Sequence, residues 1–316
     1  MVLAVTFGRR HRPGGASFEH EAGIMATTTA FDRTRLSRAP RVRSVQLGDL
    51  TITHVPDGLV RLKPRGWLPA ATDADWATHR DHLDDDGNLV AGIGGLLVER
   101  GDRALLIDTG FGPESHPDDP ANPLLGKLYG GQLLDNLRRL GRTPEQIEAV
   151  AITHLHSDHL GWAWSTAPGE DAPPFAHAAH LVAAPEWEGR DLAGEPRLAV
   201  MEPRVRTIED GENIFPGVHA SFAPGHTIGH TTYTITGGDR RLIVFGDALH
   251  APVQVTHPEW SCGIDHDPAE SAGHRRRLVE ELSRPDTIGY GGHFADVTFG
   301  RAEPRPDGRF VWTPVA

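Results

Sequence analysis

Apolar and polar residues alternate along much of the chain, and short Gly-containing turns interrupt the pattern. Residues 45–47 and 50–55 are predicted to form a hairpin around Gly48-Asp49. Residues 95–100 and 103–108 are predicted to form a second hairpin around Gly101-Asp102. Further runs of apolar and β-branched residues predict buried strands. These runs are residues 147–152, 179–184, 231–236, 242–245 and 287–290.

Helical spacing of apolar residues appears between these strands. It covers residues 133–140 and 270–282, and Thr143-Pro144 and Pro185 each favour the start of a helix. Residues 56–92 are predicted to be a long insertion with a helical piece at 73–83. Loops of this length in compact domains are usually functional, so we expect Trp67 and Leu68 to belong to a lid.

The first part of the chain lacks any apolar period. Residues 1–40 contain scattered arginines and a run of threonines, which predicts a disordered extension, and Met25 is an alternative start. Residues 41–316 are then expected to form a single α/β domain, because a segment of this length is typical of one large domain of that class.

Composition excludes several classes of function. The formal net charge of −12 argues against a nucleic-acid substrate, because phosphate binding needs a basic surface. No apolar run approaches a membrane span, and we recognise no secretory signal. The single cysteine, Cys262, rules out an intrachain disulfide and is expected to be a small buried residue. We therefore expect a cytoplasmic protein that acts on a small molecule, with a homodimer as one option.

The segment 153–161, THLHSDHLG, carries the strongest chemical signal. Its HxHxDH arrangement holds His154, His156, Asp158 and His159 on a turn after a predicted strand, where α/β sheets place their ligands. Neutral imidazole and carboxylate together bind divalent metal ions.

Three more candidate ligands follow glycines in later turns. His226 lies in PGHTIGH, Asp247 in a GD pair after 242–245, and His293 in GGH after 287–290. Glycine lets the backbone turn sharply, so these side chains are expected to point at a common centre.

Together these motifs resemble the metallo-β-lactamase-fold hydrolases. The resemblance covers about residues 45–300 and rests on five motifs in the family's order: Asp108-Thr109-Gly110, THxHxDH, PGHTxGH, GD and the last GH. It implies an αββα sandwich of two mixed β-sheets flanked by helices, with two divalent metal ions at one edge. Zinc is the first choice, with manganese, iron and cobalt as alternatives.

The resemblance also implies a ligand for each metal position. His154, His156 and His226 would hold one ion, Asp158, His159 and His293 the second, and Asp247 would bridge both beside a hydroxide. That hydroxide would attack an ester-type centre, and Asp158 would carry a proton to the leaving group. Asp108 is expected to support the ligands from beneath.

The residue types at and near these candidate ligands indicate which branch of the family the chain resembles. Enzymes that cleave β-lactams usually carry a cysteine where this chain has Asp247. Acyl-homoserine lactonases commonly carry a tyrosine three residues after the bridging aspartate, where this chain has His250. His250 is therefore expected either to donate to the substrate or to pack behind the site. The choice between lactones, aryl esters and organophosphates stays open at this point.

Two other enzyme classes use similar ligands. A glyoxalase II-like thioesterase would need a basic glutathione site near the C-terminus, where residues 301–309 look loose. A persulfide dioxygenase-type enzyme would hold one iron, which the complete second ligand set disfavours. A non-catalytic binding module normally lacks ligands, and none is missing here.

The remaining aromatic and basic residues have ordinary interpretations. Trp162 and Trp164 are expected either to line the substrate pocket or to pack in the core. His230 and His257 are expected to be turn or surface residues, and the arginines at 275–277 to form a solvated helix face.

Overall fold

The computed structural model describes residues 31–315, in which two β-sheets pack face to face. The first sheet has nine strands among the described residues. They are β1 (Arg43–Leu47), β2 (Leu50–Leu62), β3 (Leu89–Arg100), β4 (Arg103–Ile107), β5 (Ser115–His116), β6 (Leu125–Tyr129), β7 (Ala149–Ala151), β8 (Ala179–Ala183) and β9 (Val205–Ile208). Their order is β5-β6-β2-β3-β4-β7-β8-β9, with β1 paired to β2. Strands β4, β7, β8 and β9 are mutually parallel, and the other pairs are antiparallel.

The second sheet has seven described strands in simple chain order. They are β10 (Asn213–Phe215), β11 (Val218–Phe222), β12 (Thr231–Gly237), β13 (Arg240–Val244), β14 (Thr287–Tyr290), β15 (Phe299–Pro304) and β16 (Phe310–Pro314). Only β13 and β14 pair in parallel, and the other neighbours are antiparallel. Both sheets are therefore mixed.

Helices connect the strands and cover the outer faces. They are α1 (Pro64–Trp67), α2 (Asp73–Thr78), α3 (Leu133–Arg139), α4 (Ser157–Trp164), α5 (Ala184–Glu188), α6 (Leu198–Met201), α7 (Val253–Thr256) and α8 (Pro268–Leu282). Short 3-10 helices add single turns, for example at Arg33–Ser37 and Gly246–Ala248. No helix within residues 31–315 has the length and apolar character needed to cross a bilayer.

The alternation of side chains along β3 separates two layers of the core. Leu96 and Val98 point into the interface between the sheets, where they pack with residues of the second sheet such as Ile235. Leu97 points outward and packs with Leu133 of α3. Successive residues of a strand face opposite sides of its sheet, so the strand needs apolar residues on both faces when helices cover the outside. The αββα architecture predicted from the sequence is confirmed.

Both predicted hairpins are present, with Leu47 paired to Leu50 and Arg100 to Arg103. The predicted insertion at 56–92 is wrong in extent, because β2 continues to Leu62 and β3 starts at Leu89. The sequence Pro56-Asp57-Gly58 looks like a turn, but the strand absorbs it as an irregularity in register between Pro56 and Gly58. The connection that remains, residues 63–88, contains α1 and α2.

The predicted extension at residues 1–40 falls mostly outside the described residues, as does Met25. Its last part is described, and there Arg33–Ser37 form a 3-10 helix with Asp32 as N-cap. The Arg35 guanidinium donates a hydrogen bond of 3.0 Å to the carbonyl of Asp296. Residues 32–40 are therefore part of the described structure, because this helix is tied to the turn between β14 and β15.

Candidate metal centre

The HxHxDH turn joins β7 to α4 at the edge of the first sheet. His154 follows the strand, His156 is the N-cap of α4, and Asp158 and His159 occupy its first turn. The strand β4 runs parallel to β7, so Asp108 emerges at the same edge. Its φ of 60° lies in the left-handed region, which Asp tolerates better than most residues.

The second sheet contributes three more turns to this edge. His226 lies just before β12, Asp247 just after β13 and His293 just after β14. Because β13 and β14 are parallel neighbours, with Val244 paired to Tyr290, their carboxyl ends meet and the two turns lie side by side. A hydrogen bond of 2.8 Å from the amide of Thr231 to the carbonyl of Thr153 ties β12 to the first turn.

The carboxylate of Asp247 stands between two groups of side chains. Its Oδ2 lies 3.6 Å from His154 Nε2 and 3.4 Å from His226 Nε2. Its Oδ1 lies 3.2 Å from His159 Nε2 and 3.0 Å from His293 Nε2. Each carboxylate oxygen therefore faces a different pair of the candidate ligand imidazoles.

Donor atoms converge into two clusters within the described residues. One cluster is His154, His156, His226 and Asp247, and the other is Asp158, His159 and His293. His156 Nδ1 lies 2.9 Å from His154 Nε2 and 3.1 Å from His226 Nε2. Two nitrogens bound to one tetrahedral zinc lie about 3.4 Å apart, so the clustering is close to that of a metal site.

Four of the imidazoles are oriented through their second nitrogen. The Nδ1 of His159 donates to Asp108 at 2.8 Å, and that of His226 donates to Asp265 at 2.8 Å. The Nδ1 of His293 donates to the carbonyl of Gly92 at 2.6 Å, and that of His154 lies 3.1 Å from the Thr153 hydroxyl. Such partners fix the tautomer and leave Nε2 free to bind a metal ion. The prediction that Asp108 supports the cluster is confirmed.

Burial sets the protonation of the first cluster. It lowers the pKa of His154 far below its usual value, and it lowers the pKa of His156 to about 4, with His226 adding to the effect. Both imidazoles are therefore neutral at physiological pH, which is the form that binds metals. Burial alone would also lower the pKa of His159, but the carboxylates of Asp247 and Asp108 outweigh it and raise that pKa.

The donor atoms fit two divalent metal ions. Asp247 is 3% exposed and His159 6%, and neither His159 Nε2 nor Asp247 Oδ1 has a hydrogen-bond partner among the described residues. Buried polar atoms without partners are costly unless a ligand satisfies them. Imidazole nitrogens and carboxylate oxygens in this ratio suit zinc and its neighbours in the first transition row.

Four members of the two clusters, His156, Asp158, Asp247 and His293, line an apolar cavity of about 270 Å³. His250 also lines this cavity, with its Nε2 3.2 Å from Asp247 Oδ2, and neither of its ring nitrogens has a hydrogen-bond partner within residues 31–315. Trp67 meets His250 edge to face, at 5.2 Å between ring centroids. Asp158, with 24% of its side chain exposed, also lines the cavity. Trp67 is thus the member of the predicted lid that reaches the site.

The structure settles one expectation that the sequence left open and corrects another. Trp162 and Trp164 pack in the outer core of the first sheet rather than in the cavity. His230 is fully buried, and its Nε2 accepts a hydrogen bond of 3.0 Å from the amide of Asp247. Burial lowers the pKa of His230 to about 3, so it remains a neutral acceptor.

His257 and Arg275 also differ from the surface positions expected for them. His257 is buried against the ring of Trp260, at a centroid separation of 3.9 Å. Arg275 is completely buried, although its neighbours Arg276 and Arg277 are exposed. Cys262 is buried as expected.

Two buried carboxylates that hold the site together were not anticipated. Asp57 accepts hydrogen bonds from the loop after β4 and from the Trp162 indole of α4. Glu186 accepts from the amide of Leu155 at 2.9 Å and from the amide of Gly229 at 2.8 Å, so it joins the two histidine turns. In the sequence, both residues are acidic side chains that directly follow a proline, and we found no other local feature that marks them as buried.

This fold and this set of donors define a metal-dependent hydrolase. The chain belongs to the metallo-β-lactamase superfamily, since the model of that family ("Metallo-beta-lactamase superfamily") matches residues 96–293. The match spans every candidate ligand from His154 to His293.

The chain is also similar in sequence to N-acyl homoserine lactonases. The chain is 27% identical over 210 residues to an N-acyl homoserine lactonase of Bacillus cereus, covering 62% of this chain and 79% of the relative. It is 25% identical over 217 residues to the N-acyl homoserine lactonase AiiB of Agrobacterium fabrum, covering 63% and 79%.

Solved structures share the fold over most of the chain. The dizinc quorum-quenching lactonase AidC superposes with a TM-score of 0.73 at 22% identity, covering 89% of this chain and 99% of AidC. The hydrolase AbOPH gives a TM-score of 0.72 at 22% identity, with the same coverage.

Proposed function

We propose that the protein hydrolyses a lactone or carboxylic ester with an aliphatic acyl chain, using two divalent metal ions, most simply Zn²⁺. The observation that carries the proposal is the position of Asp247, whose two oxygens face separate imidazole pairs at the floor of an apolar cavity. The groups assigned to the ions are His154, His156 and His226 on one side and Asp158, His159 and His293 on the other, with Asp247 between them. This set favours a dinuclear hydrolase over a persulfide dioxygenase-type enzyme with one iron.

The walls of the cavity support an aliphatic substituent on the substrate. The lining residues away from the metal ligands are mostly branched aliphatic side chains. They include Val60, Leu62, Leu124, Leu125, Leu128, Leu155 and Ile264. Trp67 is the one aromatic residue besides histidine among the described lining residues. Such a surface gains free energy by removing an acyl chain from water, at roughly 25 cal/mol per Å² of apolar area.

The same walls argue against a glutathione thioester. Among the described residues that line the cavity there is no lysine or arginine. In the C-terminal segment, Arg309 and Arg305 both lie near the carboxylate of Asp307, at 3.3 and 4.0 Å. A glyoxalase II-like enzyme would need cations that face the tripeptide, so a neutral acyl substrate is the better match.

The chain's own residues would divide the chemistry. Two bound divalent ions would supply an activated water and polarise the scissile carbonyl. Asp158 is partly exposed at the cavity floor, 3.6 Å from His293 Nε2. Its carboxylate would take up the proton that the attacking water loses and pass it to the departing alkoxide oxygen as the C–O bond breaks. His250 would donate a hydrogen bond from its buried ring to the oxygen on which negative charge develops.

The first test compares substrates and metal content. Metal-reconstituted wild-type protein should contain two ions per chain and prefer N-decanoyl homoserine lactone to a phenyl ester of the same acyl length. The variant Asp247→Asn should lose at least one ion and more than about 100-fold in kcat/KM, the scale expected when a group that stabilises the reacting centre is removed. The assignment would be wrong if the wild-type protein bound no metal and Asp247→Asn hydrolysed the lactone at an unchanged rate.

A matched pair of variants tests His250. His250→Phe keeps a ring against Trp67 but removes both nitrogens, whereas His250→Tyr restores a donor at the position where lactonases of this family commonly have tyrosine. We expect kcat to fall by roughly 10²-fold in the Phe variant and to recover substantially in the Tyr variant. Equal kcat values in wild-type, Phe and Tyr proteins would assign His250 a packing role only.

A further inference from the structure

Arg275 is a fully buried cation on α8 behind the candidate metal centre. Its guanidinium donates to five oxygens. They belong to the carbonyls of Pro258 and Ala248, the hydroxyls of Ser271 and Ser261, and the carboxylate of Asp265. A guanidinium offers five N–H donors in a fixed plane, so this environment satisfies it almost completely.

Asp265 is the counterion, and its side chain is also completely buried. Its Oδ2 lies 3.3 Å from the guanidinium and accepts from the amide of Cys262 at 3.1 Å. Its Oδ1 accepts from His226 Nδ1 at 2.8 Å. The carboxylate thus has one oxygen committed to donors from Arg275 and Cys262, and the other free for the histidine.

This arrangement determines which nitrogen of His226 carries the proton. An ionised carboxylate accepts but does not donate, so Nδ1 of His226 must hold the hydrogen and Nε2 must offer its lone pair. Nε2 is the atom that faces His156 and Asp247. Without the guanidinium of Arg275, the buried carboxylate of Asp265 would lose its counterion and one of the donors that hold its Oδ2 in place, so its Oδ1 would no longer be fixed against His226.

Arg275 also reaches the other side of the first cluster. Its bond to the carbonyl of Ala248 holds the turn Gly246–Ala248, which carries Asp247. Arg275 therefore contacts both Asp265, which accepts from His226, and Ala248, which follows Asp247 in the turn. His226 is assigned to the ion on the His154 side, and Oδ2 of Asp247 faces the same side.

We infer that Arg275 and Asp265 are positioning residues that hold His226 and Asp247 in the geometry that binds the ion on the His154 side, and that this pair sets the affinity for that ion. The inference rests on the proposed function, because it takes His226 and Asp247 as ligands. It predicts an effect on one of the two ions, whereas a role in packing α8 would affect both or neither.

The experiment measures metal ions per chain by mass spectrometry after equilibration with graded chelator concentrations. Asp265→Asn is the main variant. The amide can accept from His226 only if its NH₂ group faces the N–H groups of Cys262 and Arg275, and the reverse orientation forces the wrong tautomer on His226. We expect one ion to be bound 10- to 100-fold more weakly, as is usual when the partner of a ligating histidine is lost, and the other ion to be unchanged.

Variants of the arginines provide the matched comparison. Arg275→Lys keeps the charge but loses the planar set of donors, and about tenfold weaker binding of one ion is expected. Arg276→Lys changes an exposed arginine on the same helix and should bind both ions like the wild-type protein. To identify the ion affected, His293→Ala should retain one ion. At the chelator concentration at which Asp265→Asn alone loses its weaker ion, the double variant should retain none.

The outcomes separate the two hypotheses. If the wild-type protein holds two ions and both Asp265→Asn and Arg275→Lys hold them with wild-type affinity, the positioning role is refuted while the proposed function stands. If the wild-type protein binds no metal, both fail. Should the variants not fold, the ¹H–¹⁵N spectrum of the metal-loaded wild-type protein decides, because the inference requires a hydrogen-bonded proton on His226 Nδ1. A bare Nδ1 would overturn it.

Discussion

Replacing Asp57 by asparagine tests how a single buried carboxylate holds the loops beneath the metal centre. Asp57 is 0% exposed and accepts five hydrogen bonds. The donors to Oδ2 are the amides of Phe111 (2.8 Å) and Gly112 (3.0 Å), and those to Oδ1 are the amides of Gly131 (3.0 Å) and Leu133 (2.9 Å) and the indole of Trp162 (2.9 Å). These donors come from the loop after β4, the start of α3 and the interior of α4.

The asparagine side chain has nearly the same shape but only one accepting oxygen. In its better orientation the amide oxygen keeps the three donors on the Oδ1 side, and the NH₂ group then opposes the amides of Phe111 and Gly112. Each buried donor left without an acceptor costs about 1–3 kcal/mol. Two such donors predict that Asp57→Asn lowers the free energy of unfolding by about 2–6 kcal/mol.

Urea unfolding of metal-loaded protein, followed by tryptophan fluorescence and circular dichroism, would measure this loss. The control is Asp49→Asn, since Asp49 is 63% exposed and its ion pair with Arg100 lies at the surface. Exposed pairs of this kind contribute about 1 kcal/mol or less, so the control should unfold close to the wild-type midpoint. A loss below about 1 kcal/mol for Asp57→Asn, at an unchanged denaturant slope, would refute the count of unsatisfied donors.

Two further predictions concern the cavity and the core. Trp67→Ala removes the indole that packs against His250 and should raise KM for a decanoyl lactone about tenfold with little change in kcat, because the apolar contact is the same in ground and transition states. Steady-state kinetics would check this, with exposed Val200→Ala as control, and a fall confined to kcat would contradict it. His180 is buried with no hydrogen-bond partner for its ring nitrogens among the described residues, and burial lowers its pKa to about 4. The pKa of a histidine in the unfolded chain is near 6.5, so the wild-type protein should lose stability as the pH falls from 6.5 toward 4. At pH 5 the free energy of unfolding of His180→Leu should have fallen by about 2 kcal/mol less than that of the wild-type protein. Urea unfolding midpoints of both proteins at pH 7.5 and pH 5 would measure this difference, and an equal loss of stability in both proteins would contradict the prediction.

The candidate ligands that the sequence selects also converge in the structure, and each one belongs to a local motif. A strand, a glycine and a titratable side chain follow one another at His226, Asp247 and His293. The parallel pairing of β13 with β14 then brings Asp247 and His293 together. The order of strand and turn indicates that these side chains meet, because the carboxyl ends of parallel neighbours share one edge of a sheet. Their division between two ions came from the resemblance to the family.

The partners of the ligands are harder to predict because they come from distant parts of the chain. His293 donates to a backbone carbonyl at Gly92, 201 residues away, and any residue type supplies a carbonyl. His226 donates to Asp265, 39 residues away, in a loop without regular structure. Asp57 was missed for a related reason, because Pro56 and Gly58 beside it indicate a turn although the strand continues through them.

Arg275 shows that the position of an arginine on a helix predicts its burial better than the presence of charged neighbours in the sequence does. Three consecutive arginines cannot share one face of a helix, because successive residues point about 100° apart. Counting in steps of three and four along α8, Ser271, Arg275, Val279 and Leu282 fall on one side, and all four are buried. The apolar residues at 279 and 282 therefore predict that position 275 faces inward, and a buried arginine requires a carboxylate and further acceptors. In another member of the superfamily, a basic residue on the buried face of the corresponding helix would by the same reasoning indicate a supporting acid behind the metal ligands, even where the motifs alone show only the ligands.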